Sequence, residues 1–86
     1  MNIASDYMDN EEKVFENAQK NLKFFDDNFK SFESKFPNRF VAVSGANLVA
    51  TSETVDDILE KVKERKIDES DLLIEFIPLP GSILVL

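Results

Sequence analysis

Cysteine and histidine are both absent from the 86 residues of this chain, and glycine and proline occur only two and three times. Without cysteine there is no disulfide framework, no thiolate nucleophile and no sulfur-ligated metal. Without histidine the commonest general base and the commonest transition-metal ligand are missing, and every Ser-His or Cys-His nucleophilic arrangement goes with them. The expectation is a non-enzymatic protein with no cofactor. No apolar run approaches the roughly 20 residues that a spanning helix needs, and Met1-Asn2-Ile3-Ala4-Ser5-Asp6 lacks the basic and apolar pattern of a signal peptide. A cytoplasmic protein with no membrane partner is predicted. Positive charge is also scarce: ten Lys and Arg against 17 Asp and Glu leave a formal charge of −7. Such a surface repels a phosphate backbone, because nucleic-acid affinity rests largely on neutralising phosphates with Lys and Arg, so no nucleic-acid partner is expected. The densest cations, Lys61, Lys63, Arg65 and Lys66, end a predicted helix, where they offset the macrodipole.

What is present is ordinary for a folded domain, with 43% hydrophobic and 31% charged residues. A chain of this size holds one core region and buries roughly 60–65% of its unfolded surface. Residues 1–8 carry no periodicity and are expected to be flexible, which leaves one domain over residues 9–86. Asp9 with Glu12 has the form of a capping box. From there Val14, Ala18, Leu22, Phe25, Phe29, Phe32 and Phe36 recur at spacings of three and four, predicting one long helix over about residues 10–35 with Phe15 and Phe24 widening its apolar face. Its opposite face is Glu, Lys, Asp, Asn and Gln, and Pro37 ends it.

Arg39-Phe40-Val41-Ala42-Val43 and Leu48-Val49-Ala50-Thr51 are short apolar runs joined by Ser44-Gly45-Ala46-Asn47, where Gly and Asn tolerate the positive φ of a tight turn. This predicts a β-hairpin over about residues 39–51. Thr54 followed by Asp57 repeats the capping-box form and opens a helix over about residues 55–65, with Val55, Ile58, Leu59 and Val62 on one face. Leu72 to Ile77 reads as a strand stopped by Pro78-Leu79-Pro80-Gly81, and Ser82 to Leu86 reads as a last strand. The order α-β-β-α-β-β predicts an α+β domain, two layers deep, with a mostly antiparallel sheet of three or four strands and both helices on one face. The strands are apolar on both sides: Phe40 and Ala42 oppose Val41 and Val43, and Leu84 and Leu86 oppose Ile83 and Val85. The surplus predicts a partner on the second face, either another protein or a second copy; the uncharged strand Ser82 to Leu86 is either central in the sheet or an edge, and edge use makes a homodimer by strand addition. The Phe-rich stripe covers the sheet or, as the alternative, part of it docks on a partner; on the alternative the candidate interaction surface comprises Phe24, Phe25, Phe29 and Phe32 with Ile83, Leu84, Val85 and Leu86.

Three acidic groups invite a metal reading: Asp26-Asp27, Asp56-Asp57, and Asp68-Glu69 with Asp71. None has the spacing of a calcium loop, and Asp56 and Asp57 fall in a first helical turn where the dipole favours acids. No catalytic, cofactor-binding or metal residue is therefore singled out. Arg39, at a strand start beside aromatics, is expected to form a salt bridge or stack on Phe.

The residues Phe36-Pro37-Asn38-Arg39-Phe40-Val41-Ala42-Val43, Gly45, Leu48-Val49-Ala50, Val55-Asp56-Asp57-Ile58-Leu59 and Leu73-Ile74-Glu75-Phe76-Ile77-Pro78 resemble a small prokaryotic, largely archaeal family of unknown function, DUF5678. Phe40 stands where many relatives carry Trp, and the Ser44 to Asn47 turn departs from the usual Gly-Lys or Gly-Glu type. The resemblance implies a fold and no activity. A weaker likeness, over Ala50 to Leu59, is to antitoxin domains of the HicB type, where a strand runs into a Ser- or Thr-capped acidic helix. The sequence thus predicts a small acidic module for protein–protein contact, with an antitoxin-like accessory role as one form. The alternative is a small-molecule or divalent-metal-binding domain using surface carboxylates.

Overall fold

The computed structural model describes residues 10–80. Residues 1–8, the proposed cap Asp9 and the last strand expected at residues 82–86, including Ile83, Leu84, Val85 and Leu86, lie outside them. Within them the chain is α+β. Helix α1 (Asn10–Asp27) and α2 (Phe29–Lys35) precede a hairpin of β1 (Arg39–Ser44) and β2 (Asn47–Ser52); α3 (Val55–Glu64), a 3₁₀ turn (Glu69–Asp71) and β3 (Leu73–Ile77) follow. The sheet order is β2-β1-β3, and both pairings are antiparallel.

The hairpin closes through Gly45 and Ala46, at φ 58° and 56°, between the paired Ser44 and Asn47. Two central residues at positive φ twist the turn in the sense that matches the strands. One extra residue, Val49, sits in β2 where the register shifts between Ala42 and Val43, a β-bulge that bends this edge strand. Helix α3 starts as its sequence predicts: Thr54 Oγ1 accepts the Asp57 N–H at 3.1 Å. The Asp57 carboxylate turns instead to the buried Ser52 hydroxyl, 2.6 Å away, and so ties the helix start to the end of β2. The helix ends in a Schellman arrangement, with Lys66 N–H on Lys63 O and Ile67 N–H on Val62 O, both at 3.0 Å. Lys66 takes the left-handed position, φ 56°, that glycine usually fills.

Two findings differ from the sequence expectations. The first helix is two helices, because Asn28 adopts φ −106° and ψ 6° and its side-chain amide donates to Phe24 O at 2.8 Å. A side chain that bonds the preceding turn in this way competes with the backbone ladder. The helices also cover opposite faces of the sheet, where the sequence placed both on one. Phe25 and Phe32 bury against Val41 and Ile77 on one side. Ile58 and Val62 of α3 bury against Ala42 on the other, with Phe40 and Ile74 packed beside them. The topology explains this. Strands β2 and β3 both run antiparallel to β1, hence parallel to each other, and α3 is the crossover between them that must lie over one face. The other face falls to α1 and α2. The two-sided apolar pattern of β1 is therefore satisfied within the chain, as it is in strands buried on both faces.

Outward carbonyls of β2 are engaged by cations of α3: Lys61 Nζ donates to Thr51 O at 2.9 Å and Arg65 Nη1 donates to Val49 O. Long cationic side chains over an edge strand obstruct pairing with a further strand.

Candidate interaction surface

Helix α1 is anchored by a polar junction. Asn21, 1% exposed, donates from Nδ2 to the Asp71 backbone O at 3.0 Å and to Asp71 Oδ1 at 3.1 Å, and its Oδ1 accepts the Ala46 N–H at 2.8 Å. Asp71 Oδ2 accepts the Ser44 hydroxyl and the Gly45 N–H, each at 2.9 Å. One helix residue thus gathers the hairpin turn and the 3₁₀ turn, and its buried amide has every polar atom partnered. Sequence reading placed Asn21 on the solvent face; the structure buries it.

That phase decides which apolar residues stay outside. With Asn21 and Phe25 inward, Leu22 is 47% exposed, Phe15 61% and Val14 41%, and Ala18 is exposed between them. Phe15, Ala18 and Leu22 follow at three and four residues and form one flank. This stretch lies beside the core, and sheet contact begins only near Asn21.

Of the residues singled out from the sequence, Phe25 and Phe32 are core residues and present no free surface, while Phe24 and Phe29 are half-buried around them. Their rings stack at 5.5–6.1 Å between centroids in tilted or edge geometries. The stripe thus covers the sheet, the first of the two readings its sequence offers. The exposed flank sits earlier in α1, on Ala18 and Leu22, read as the start of the core stripe, and on Phe15, read as widening it.

Each acidic group gives at least one carboxylate to a structural partner. Asp27 pairs with Lys23 at 3.0 Å, Asp57 with Ser52, and Asp71 with the junction. Asp68 Oδ1 accepts both the Ser70 N–H and the Ser70 hydroxyl at 2.9 Å, and these bonds, the backbone one foremost, hold its carboxyl below the ordinary value. No group of three or more potential ligands able to hold a metal occurs among the described residues. Arg39 lies 3.8 Å from Glu53, an exposed pair. Lys13, Val14 and Asn17 face Asp68 and Ser70 across a cleft between α1 and the 3₁₀ turn. Phe36 and Leu48 to Thr51 line a shallow groove beside the obstructed edge of β2. No described helix is long and apolar enough to cross a membrane.

A three-stranded antiparallel sheet with helices on both faces defines a small α+β module. Residues 31–80, more than half of the chain, match the family of unknown function DUF5678, and the protein belongs to that family. The matched stretch spans the sheet and α3 and leaves α1 outside. No curated protein and no solved structure matches the chain.

Proposed function

We propose that this protein is a non-enzymatic interaction module that binds another protein through the exposed flank of α1. The observation that carries the reading is the exposure of Phe15 and Leu22 two turns apart on one helix face. Contiguous exposed apolar residues of this size mark interaction sites in soluble proteins, and a stripe at three- and four-residue spacing is what a partner helix recognises. Fully burying two such side chains is worth roughly 3–6 kcal/mol, much of which association entropy offsets. The contact is therefore weak unless further groups join it. An antitoxin-like accessory role, in a cytoplasmic setting, is one form such a module takes. The absence of cysteine and histidine and the engagement of the acidic residues in structural bonds favour this reading over catalysis or metal binding.

The test is affinity capture from the source organism's extract with the wild-type chain and with a Phe15→Glu/Leu22→Glu variant, both checked for equal thermal midpoints. A stoichiometric protein retained by the wild type and lost with the variant is the expected result. Identical capture by both proteins would remove the flank from the reading.

A further inference from the structure

The residues around the flank point to the chemistry of what covers it. Positions three and four away from Phe15 are Glu11, Glu12, Ala18 and Gln19, and those around Leu22 are Ala18, Gln19, Phe25 and Asp26. The rim thus holds three carboxylates, from Glu11, Glu12 and Asp26, all exposed, and no cation. The helix's cations lie elsewhere. Lys13 and Lys20 project more than a third of a turn away from Phe15 and Leu22, and Lys23 is engaged with Asp27. None of the three rim carboxylates has an ion-pair partner among the described residues.

From this we infer that the flank docks an amphipathic helix of a partner protein whose apolar stripe is bordered by Lys or Arg. The inference rests on the interaction reading above and adds the partner's charge. Leucine-sized side chains of the incoming helix lie between Phe15, Ala18 and Leu22, where small Ala18 admits close approach, and its cations meet Glu11 and Glu12 at one end and Asp26 at the other. Phe15 to Leu22 spans about 10 Å, two helical turns, which matches an i, i+3, i+7 stripe on the partner. A second copy of this chain fits less well: an antiparallel pair of α1 helices sets Glu11 and Glu12 of each against Asp26 of the other, and each copy carries −7. Like charges facing one another across an interface select against that pairing.

The probes are three labelled 18-residue helical peptides followed by fluorescence anisotropy against the full chain: a leucine stripe with lysine borders, the same stripe with glutamate borders, and lysine borders with serine in the stripe. Binding of the first peptide alone, weakening at least tenfold between low and moderate salt, is expected. Phe15→Ser/Leu22→Ser should reduce that affinity about tenfold or more, and Glu11→Gln/Glu12→Gln/Asp26→Asn should bring it to the level of the glutamate peptide. All substituted positions are exposed, so the variants keep their fold, which circular dichroism checks. Equal binding of the two leucine peptides would overturn the charge assignment and leave the apolar docking standing. Equal binding of the serine peptide would reduce the effect to net charge and overturn the proposal. Failure of all three peptides, with a native mass that falls from dimer to monomer in Leu22→Ser, would assign the flank to a second copy. Failure of all three with a monomer throughout would overturn both this inference and the interaction reading.

Discussion

Replacing Asn21 with alanine removes three hydrogen bonds at once from the junction of α1, the hairpin and the 3₁₀ turn. The Ala46 N–H loses its acceptor and Asp71 loses a donor, and groups stripped of partners in a packed site cost about 1–3 kcal/mol. Urea titration of Asn21→Ala is expected to show a loss of that size with an unchanged slope. Three residues hold left-handed backbone without being glycine: Asn38, a residue type that tolerates it, and Ala46 and Lys66, which do not share that tolerance. The β-carbons of Ala46 and Lys66 are strained there by roughly 1–2 kcal/mol, partly offset by the greater freedom of glycine when unfolded. Ala46→Gly and Lys66→Gly are each expected to raise stability by a few tenths to about 1 kcal/mol, read from a higher denaturation midpoint. Asp68 behaves in the opposite sense on acidification. Its folded carboxyl titrates below the unfolded one because Ser70 donates two hydrogen bonds to the charged form, so its contribution is complete above the unfolded value and fades as pH falls through the folded one. In Asp68→Asn, stability should fall less steeply than in the wild type across that acidic window.

At the scale of elements, the hairpin, α3 and β3 were legible because local chemistry dictates them. Gly45 and Asn47 mark the turn, Thr54 and Asp57 the cap, and Pro78 the end of β3. The phase of α1 was not legible. Asn21 faces inward only because Ala46 and Asp71, 25 and 50 residues away, supply its partners, and no spacing rule carries that information. Once Asn21 is inside, Leu22 is outside, so the exposed flank was equally hidden. The break at Asn28 had a local signal, an Asn whose amide can bond the turn before it, but the uninterrupted Phe periodicity outweighed it. The edge of β2 yields an element-scale prediction. Removing the cations in Lys61→Ala/Arg65→Ala should alter stability little, since both side chains are exposed, yet it uncovers the Thr51 and Val49 carbonyls. Static light scattering during prolonged incubation is expected to rise faster for this variant than for the wild type.

At the scale of the molecule, one sheet separates two apolar clusters that share backbone but not side chains. Ile77→Val thins one and Ile58→Val the other, each by about 0.5–1.5 kcal/mol. Their effects should sum to within roughly 0.5 kcal/mol in the double variant, as expected of sites without shared partners; a larger coupling would mean that strain crosses the sheet. The α+β class could be read from the order of elements, whereas the side taken by each helix could not, because it follows from the strand order β2-β1-β3. The family match covers this sheet with α3, so the candidate surface belongs to the helix that lies outside the matched stretch. The polar junction also has a kinetic meaning. Its members come from residues 21, 44 to 46 and 71, and it can close only after the hairpin turn and the 3₁₀ turn have both formed. Each of its bonds closes a loop of 25 residues or more, so Asn21→Ala is expected to speed unfolding more than it slows folding, and a stopped-flow chevron with the opposite partition would place the junction in the folding nucleus. With the expected outcome the junction is a latch on α1: its three Asn21 bonds set how long the helix stays docked once the native protein has formed.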